Sequence, residues 1–126
     1  MGLVCPVCGE ATLMVAARLE LPPDDRSDEV AVQVLSCSQC DARALGIYEE
    51  SRRGALDDES WSHVGYPMEP EAAEALAAKL RRCRHPGSPR CACATHRSFR
   101  RAGQDWRDSL PGVRWDKPFA VRYEKT

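Results

Sequence analysis

The chain has 126 residues, seven cysteines and a formal net charge of −1. Phe, Ile, Leu and Val together supply 22 residues, about 17% of the chain, a thin endowment for a core, while the near-zero charge excludes charge-driven disorder. A small chain short of core residues commonly folds around disulfides or metal.

The length fits one small domain. No run of roughly 18 apolar residues occurs, so no membrane-spanning helix is expected. The start, Met1-Gly2-Leu3-Val4-Cys5-Pro6, lacks the basic and apolar regions of a signal peptide. The expected compartment is the cytoplasm, where disulfides rarely persist. Seven thiols cannot all pair within one chain. Both points favour metal.

Cys5-Pro6-Val7-Cys8 and Cys37-Ser38-Gln39-Cys40 are two C-x-x-C pairs separated by 28 residues. That spacing turns two thiolates toward one point, and two such knuckles complete a tetrahedron around zinc. Gly9 suits the turn out of the first knuckle, and Asp41 takes the equivalent place in the second. Between them, Thr12 to Glu20 reads as a strand with Leu13, Val15, Ala17 and Leu19 on one face. Val30, Val32 and Val34 alternate with Ala31, Gln33 and Leu35, a period of two that predicts its hairpin partner. Leu21 to Asp28 is a polar turn loop, and Ala44 to Glu49 predicts a third strand. Knuckle, hairpin, knuckle and strand resemble a zinc ribbon over residues 3–50. The resemblance implies a three-stranded antiparallel sheet and a structural zinc, and no particular function.

Trp61-Ser62-His63-Val64-Gly65-Tyr66 precedes the clearest helix. It reads as a plug of aromatic core in preference to a recognition surface. Pro70 to Cys83 has Pro at the first helical position, acids at the start and Lys79, Arg81 and Arg82 at the end, matching the helix dipole. Ala72, Ala73, Leu76, Ala77, Leu80 and Cys83 form its apolar stripe.

Residues 83–96 hold five potential metal ligands. The preferred zinc set is Cys83, Cys91, Cys93 and His96, with His85 replacing His96 in the second choice. The tail after residue 96 carries Phe99, Trp106, Trp115, Phe119 and Tyr123. A tail this aromatic is expected to dock.

The charge is segregated. Residues 1–80 hold six basic and 15 acidic side chains, whereas residues 81–126 hold 12 basic and four acidic ones. The basic part faces either the acidic half of its own chain, an acidic partner or nucleic acid.

The expected fold is small α+β. It comprises an N-terminal zinc ribbon (1–50), a linker with an aromatic segment (51–68), and one helix followed by a zinc-bound loop and docked basic tail (69–126). The expected function is a non-enzymatic binding module, held by two structural zinc ions and acting through protein–protein contacts as an adaptor, regulator or toxin-neutralising partner. The second reading is a nucleic-acid-binding protein using the basic C-terminal part. A metallo-enzyme ranks last, because no paired carboxylates, phosphate loop or H-E-x-x-H accompany the cysteines.

Overall fold

The computed structural model describes residues 2–23, 27–51, 60–100 and 105–124. Part of the expected Leu21–Asp28 loop and part of the 51–68 linker lie outside the described residues.

The chain is mainly β. Its strands are β1 (Gly2–Leu3), β2 (Leu13–Leu21), β3 (Glu29–Cys37), β4 (Arg43–Ser51), β5 (Ser60–Pro67), β6 (Phe119–Ala120) and β7 (Tyr123–Glu124). Helix α1 (Pro70–Arg81) follows β5, and a short helix α2 (Ala94–Ser98) and a 3₁₀ turn (Trp106–Ser109) precede β6. The strands form one antiparallel sheet in the order β6-β5-β4-β3-β2-β1-β7. This corrects the small α+β expectation of a three-stranded ribbon with a helix. The three expected strands are only the middle of a seven-stranded sheet. Trp61 to Tyr66, expected to plug a core, lie within β5, which pairs along the length of β4, and Trp61 is 68% exposed. The aromatic tail supplies a strand at each edge.

The tail also explains why the sheet curls into a half-barrel. Strands β6 and β7 lie on opposite edges, yet only Val121 and Arg122 separate them. The Cα positions of Ala120 and Tyr123 can be no more than about 10 Å apart. The Val121 N–H donates to the His63 carbonyl, and the Val4 N–H donates to the Arg122 carbonyl, each at 2.9 Å. Residues 119–124 therefore form a seam that draws β5 toward β1. Gly65 makes the curl sterically feasible, because a Cβ there would collide with the Phe119 ring.

Both faces of β3 are covered, which accounts for the near-continuous burial of Val30 to Leu35. On the convex face, Leu19, Val32, Val34, Leu45 and Ile47 meet Ala73, Leu76, Ala77 and Leu80 of α1. On the concave face, Leu13, Leu35, Ala44 and Val121 enclose Cys5 and Cys37. Strand β2 serves both cores because of a bulge. Val15 pairs with Leu35, but Ala17 pairs with Val34, so the extra residue reverses the face presented beyond it. Leu13 thus joins the concave core while Ala17 and Leu19 join the convex one. The expected single face for Leu13, Val15, Ala17 and Leu19 is corrected accordingly.

Further described residues of the tail lie against the convex core. Phe99 is buried there, and Trp106, Leu110 and Val113 pack beside it. The Glu69 N–H donates to the Gly112 carbonyl and the Arg114 N–H to the Pro67 carbonyl. No helix among the described residues is long and apolar enough to cross a membrane.

Candidate metal centres

Two groups of four side chains could hold metal ions. They are Cys5, Cys8, Cys37 and Cys40, and Cys83, Cys91, Cys93 and His96, and within each group all ligand atoms lie within 4.8 Å of one another. All seven cysteines are free thiols.

The first centre sits where the concave core meets the end of the half-barrel. Cys5 follows β1 and leads into a turn, closed by the Gly9 N–H on the Cys5 carbonyl at 2.9 Å. Gly9 has φ 77°, in the left-handed region, as its place after the knuckle requires. Cys37 ends β3, and its N–H bonds to the Ala42 carbonyl at 3.1 Å, folding Cys40 back toward it. The Cys5 and Cys40 sulfurs are 3.6 Å apart, and those of Cys8 and Cys37 are 3.8 Å apart. A disulfide requires about 2.05 Å, so these are convergent thiols rather than bonded pairs.

Charge at the first centre is arranged unequally. Burial pushes the Cys37 thiol up, but the Thr12 hydroxyl and the Gln39 and Cys40 N–H groups outweigh it and bring Cys37 down to about 6. The Thr12 oxygen is 3.1 Å from the Cys37 sulfur. The Ala42 N–H lowers the Cys40 thiol, yet burial and the neighbouring sulfurs of Cys37, Cys5 and Cys8 carry it up to about 12. Without a cation, one thiolate forms readily and suppresses the next. A bound divalent ion removes that conflict.

The second centre is assembled from three elements. Cys83 follows α1, Cys91 lies in the loop, and Cys93 caps the N-terminus of α2, accepting the His96 N–H at 3.3 Å. Cys83 and Cys91 sulfurs are 3.7 Å apart. The His96 Nδ1 lies 3.4 Å from the Cys83 sulfur and 3.3 Å from that of Cys93. His96 is fully buried, and its Nε2 lies 2.9 Å from the Glu20 carbonyl oxygen. A carbonyl can only accept, so Nε2 donates to it and leaves Nδ1 as the ring atom among the sulfurs, where a neutral ring would offer its lone pair to a metal ion. This is the outer-shell arrangement that orients metal-binding histidines. His85 is exposed and contributes its backbone N–H to the Cys83 sulfur at 3.4 Å. It is not among the convergent donors.

Burial, reinforced by the Cys93 and Cys91 sulfurs, raises the Cys83 thiol to about 11. The His96 backbone N–H, and then its ring, lower Cys93 to about 6. The same one-thiolate logic therefore applies here.

Two contributors escaped the sequence reading. Thr12 lies outside both C-x-x-C pairs, and nothing in its spacing marks its hydroxyl as a partner of Cys37. Glu20 acts through its backbone, giving its N–H to the Pro86 carbonyl at 2.7 Å and its C=O to His96. No side-chain pattern announces such a role.

A third feature lies on the concave face. A cavity of ≈ 470 Å³ is lined by Leu3, Leu13, Val15, Gln33, Tyr48 and His63, among others. The His63 Nε2 and Gln33 Oε1 are 2.7 Å apart, and the His63 ring meets that of Tyr48 edge-on with centroids 5.7 Å apart. Burial pushes the His63 pKa below its ordinary value. His63 belongs to neither metal group. Compared with known protein families, curated proteins and solved structures, the chain gives no significant match.

Proposed function

We propose that the chain is a zinc-stabilised, non-enzymatic binding module that works through protein contacts. The observation carrying this reading is that each group supplies four convergent donors. Structural zinc sites use four protein ligands from Cys and His, whereas catalytic sites use three and keep one position for water or substrate. Thiolate-rich sets also favour zinc over harder divalent ions. The geometry fits: zinc at about 2.3 Å from each sulfur gives tetrahedral S···S edges of about 3.8 Å, beside the 3.6, 3.8 and 3.7 Å separations here. When bound, the ion supplies folding energy and holds Cys5, Cys8, Cys37 and Cys40 at one end of the sheet, and Cys83, Cys91, Cys93 and His96 between α1, α2 and β2.

Support for protein contacts comes from the concave face. Val15, Trp61 and Tyr123 are exposed at 44%, 68% and 59%, and Val15 and Tyr123 line the cavity. Exposed apolar side chains beside a cavity mark contact surfaces, and Trp61 adds a further exposed ring at the end of β5 that pairs with Glu50.

Cobalt substitution tests the closed-site claim. Cobalt-loaded protein should show tetrahedral thiolate spectra at two equivalents, unchanged by cyanide or azide. A shift on adding either anion would reveal an open coordination position and count against the non-enzymatic reading. A photo-crosslinking residue at position 61 should then capture a discrete protein from cells, insensitive to nuclease. Loss of that product on nuclease treatment would count against protein contacts.

A further inference from the structure

Four arginines sit next to ligands of the second centre in the sequence. Arg82 and Arg84 flank Cys83, Arg90 precedes Cys91, and Arg97 follows His96. The ligand atoms themselves converge within 4.8 Å, so one compact knuckle carries all four. Their side chains are exposed, and none of the four has an acidic partner among the described residues. Arg81 and Arg100 add to the same knuckle, each with a guanidinium on backbone carbonyls: Arg81 on Ala16, and Arg100 on Pro89 and Cys91. No acidic residue occurs between Glu74 and Asp105.

Two ordinary explanations of this charge fall short. The acidic half of the chain does not neutralise it: among the described residues, Arg107–Glu49 at 2.8 Å is the ion pair joining residues 81–126 to residues 1–80. The metal centre does not require it either. Three thiolates and a neutral imidazole around a divalent ion leave about one negative charge, against four unpaired guanidinium groups.

We propose that the knuckle around Cys83, Cys91, Cys93 and His96 binds the phosphate backbone of a nucleic acid through Arg82, Arg84, Arg90 and Arg97. The proposal goes beyond the protein-contact reading, adding a second partner at a different surface, and rests only on that reading's claim that zinc holds the knuckle together. All four cations are arginine, whose planar fork matches phosphate oxygens bidentately. A nucleic acid also supplies closely and regularly spaced negative charge, matching cations grouped on one small loop. Contacts to phosphate carry no sequence information directly, so binding through them alone is independent of sequence.

The test uses the full chain loaded with zinc, its metal content measured on the same sample. A fluorescein-labelled 24-nucleotide single strand and the corresponding duplex are titrated by anisotropy between 50 and 250 mM salt. Four phosphate contacts predict a log–log salt slope of about −3 for the single strand and about −3.6 for the duplex, hence roughly a 100- to 300-fold weakening across that range. Replacing Arg82, Arg84, Arg90 and Arg97 with Gln should weaken binding at 50 mM salt at least about tenfold, with two zinc ions retained. Two zinc ions per chain with no binding to either probe would overturn the proposal alone and leave the metal reading standing. Unaltered binding by the four-arginine variant would also overturn it. Equal displacement of the probe by polyglutamate and by unlabelled strand would overturn it in favour of an acidic protein surface. About one zinc per chain in a folded sample would remove the second centre and overturn the proposal with it, and a folded sample without zinc would overturn the metal reading as a whole.

Discussion

The His96 ring and the Glu20 backbone, 76 positions apart, meet at 2.9 Å, and this bond locks the second candidate metal centre onto the sheet. The Glu20 N–H is taken by Pro86 of the same loop. Strand β1 is only two residues long and pairs with β2 at Leu13, so it cannot cover the Glu20 end of β2. The loop of the second centre satisfies that edge, an exposed edge being a hazard for aberrant pairing. The centre is thus part of how the sheet ends.

His96→Ala should accordingly lower the zinc content from two ions to one per chain. It should also expose the backbone at Glu20, read as faster amide exchange at Glu20 and in the 83–97 loop. Retention of two ions would show that His96 is not a ligand.

Cys37→Ser removes a candidate ligand buried at the end of β3 and the sulfur that meets the Thr12 hydroxyl and the Gln39 N–H. Structural zinc contributes folding energy outright. The variant should be unfolded or aggregated, and a chelator should unfold the native chain. A soluble variant with a cooperative thermal transition would count against a structural role for the first centre.

The seam of the half-barrel predicts a steric effect. Gly65→Val places side-chain atoms where the Phe119 ring lies, and should destabilise the fold by about 1–3 kcal/mol, as overpacking does. Phe119→Ala in the same chain should recover part of that loss. Equal destabilisation with and without Phe119 would separate the two residues. By comparison, Leu45→Ala, at a fully buried convex position, should cost about 2–5 kcal/mol.

His63 gives the pH dependence its sign. Its folded-state pKa is lowered by burial, so the unfolded chain takes up the proton more readily. The His63 contribution to stability is therefore present above the ordinary imidazole value of about 6.5 and is lost as pH falls through the lower folded value. Carbon chemical shifts of the His63 ring should report a midpoint below about 6.5. A midpoint above that value would contradict burial of the neutral ring against Gln33.

The sequence reached different parts of this molecule to different depths. Local spacing exposed the ligand sets, because C-x-x-C and the dense 83–96 segment bring donors together over few residues. The β2–β3 hairpin was legible from the alternation of Val30 to Leu35, and α1 from its apolar stripe and dipole-matched charges. The sheet's size was not legible. Val121 and Arg122 decide that both edges belong to one tail, and that is a long-range fact with no local signature. The bulge between Val15 and Ala17 reversed a face that strict alternation would keep. Ser60–Pro67 carries two aromatics, a histidine and a glycine, a pattern that suits a plug as well as a strand. Only pairing with β4 decides it.

The central claim is that two closed Cys/His centres hold zinc and thereby hold the fold. Native mass spectrometry of the full chain, purified without added metal, tests it most directly. The account predicts a compact species carrying two zinc ions with the thiols reduced. A compact species without metal, or one whose mass shows cysteines joined as disulfides, would contradict it.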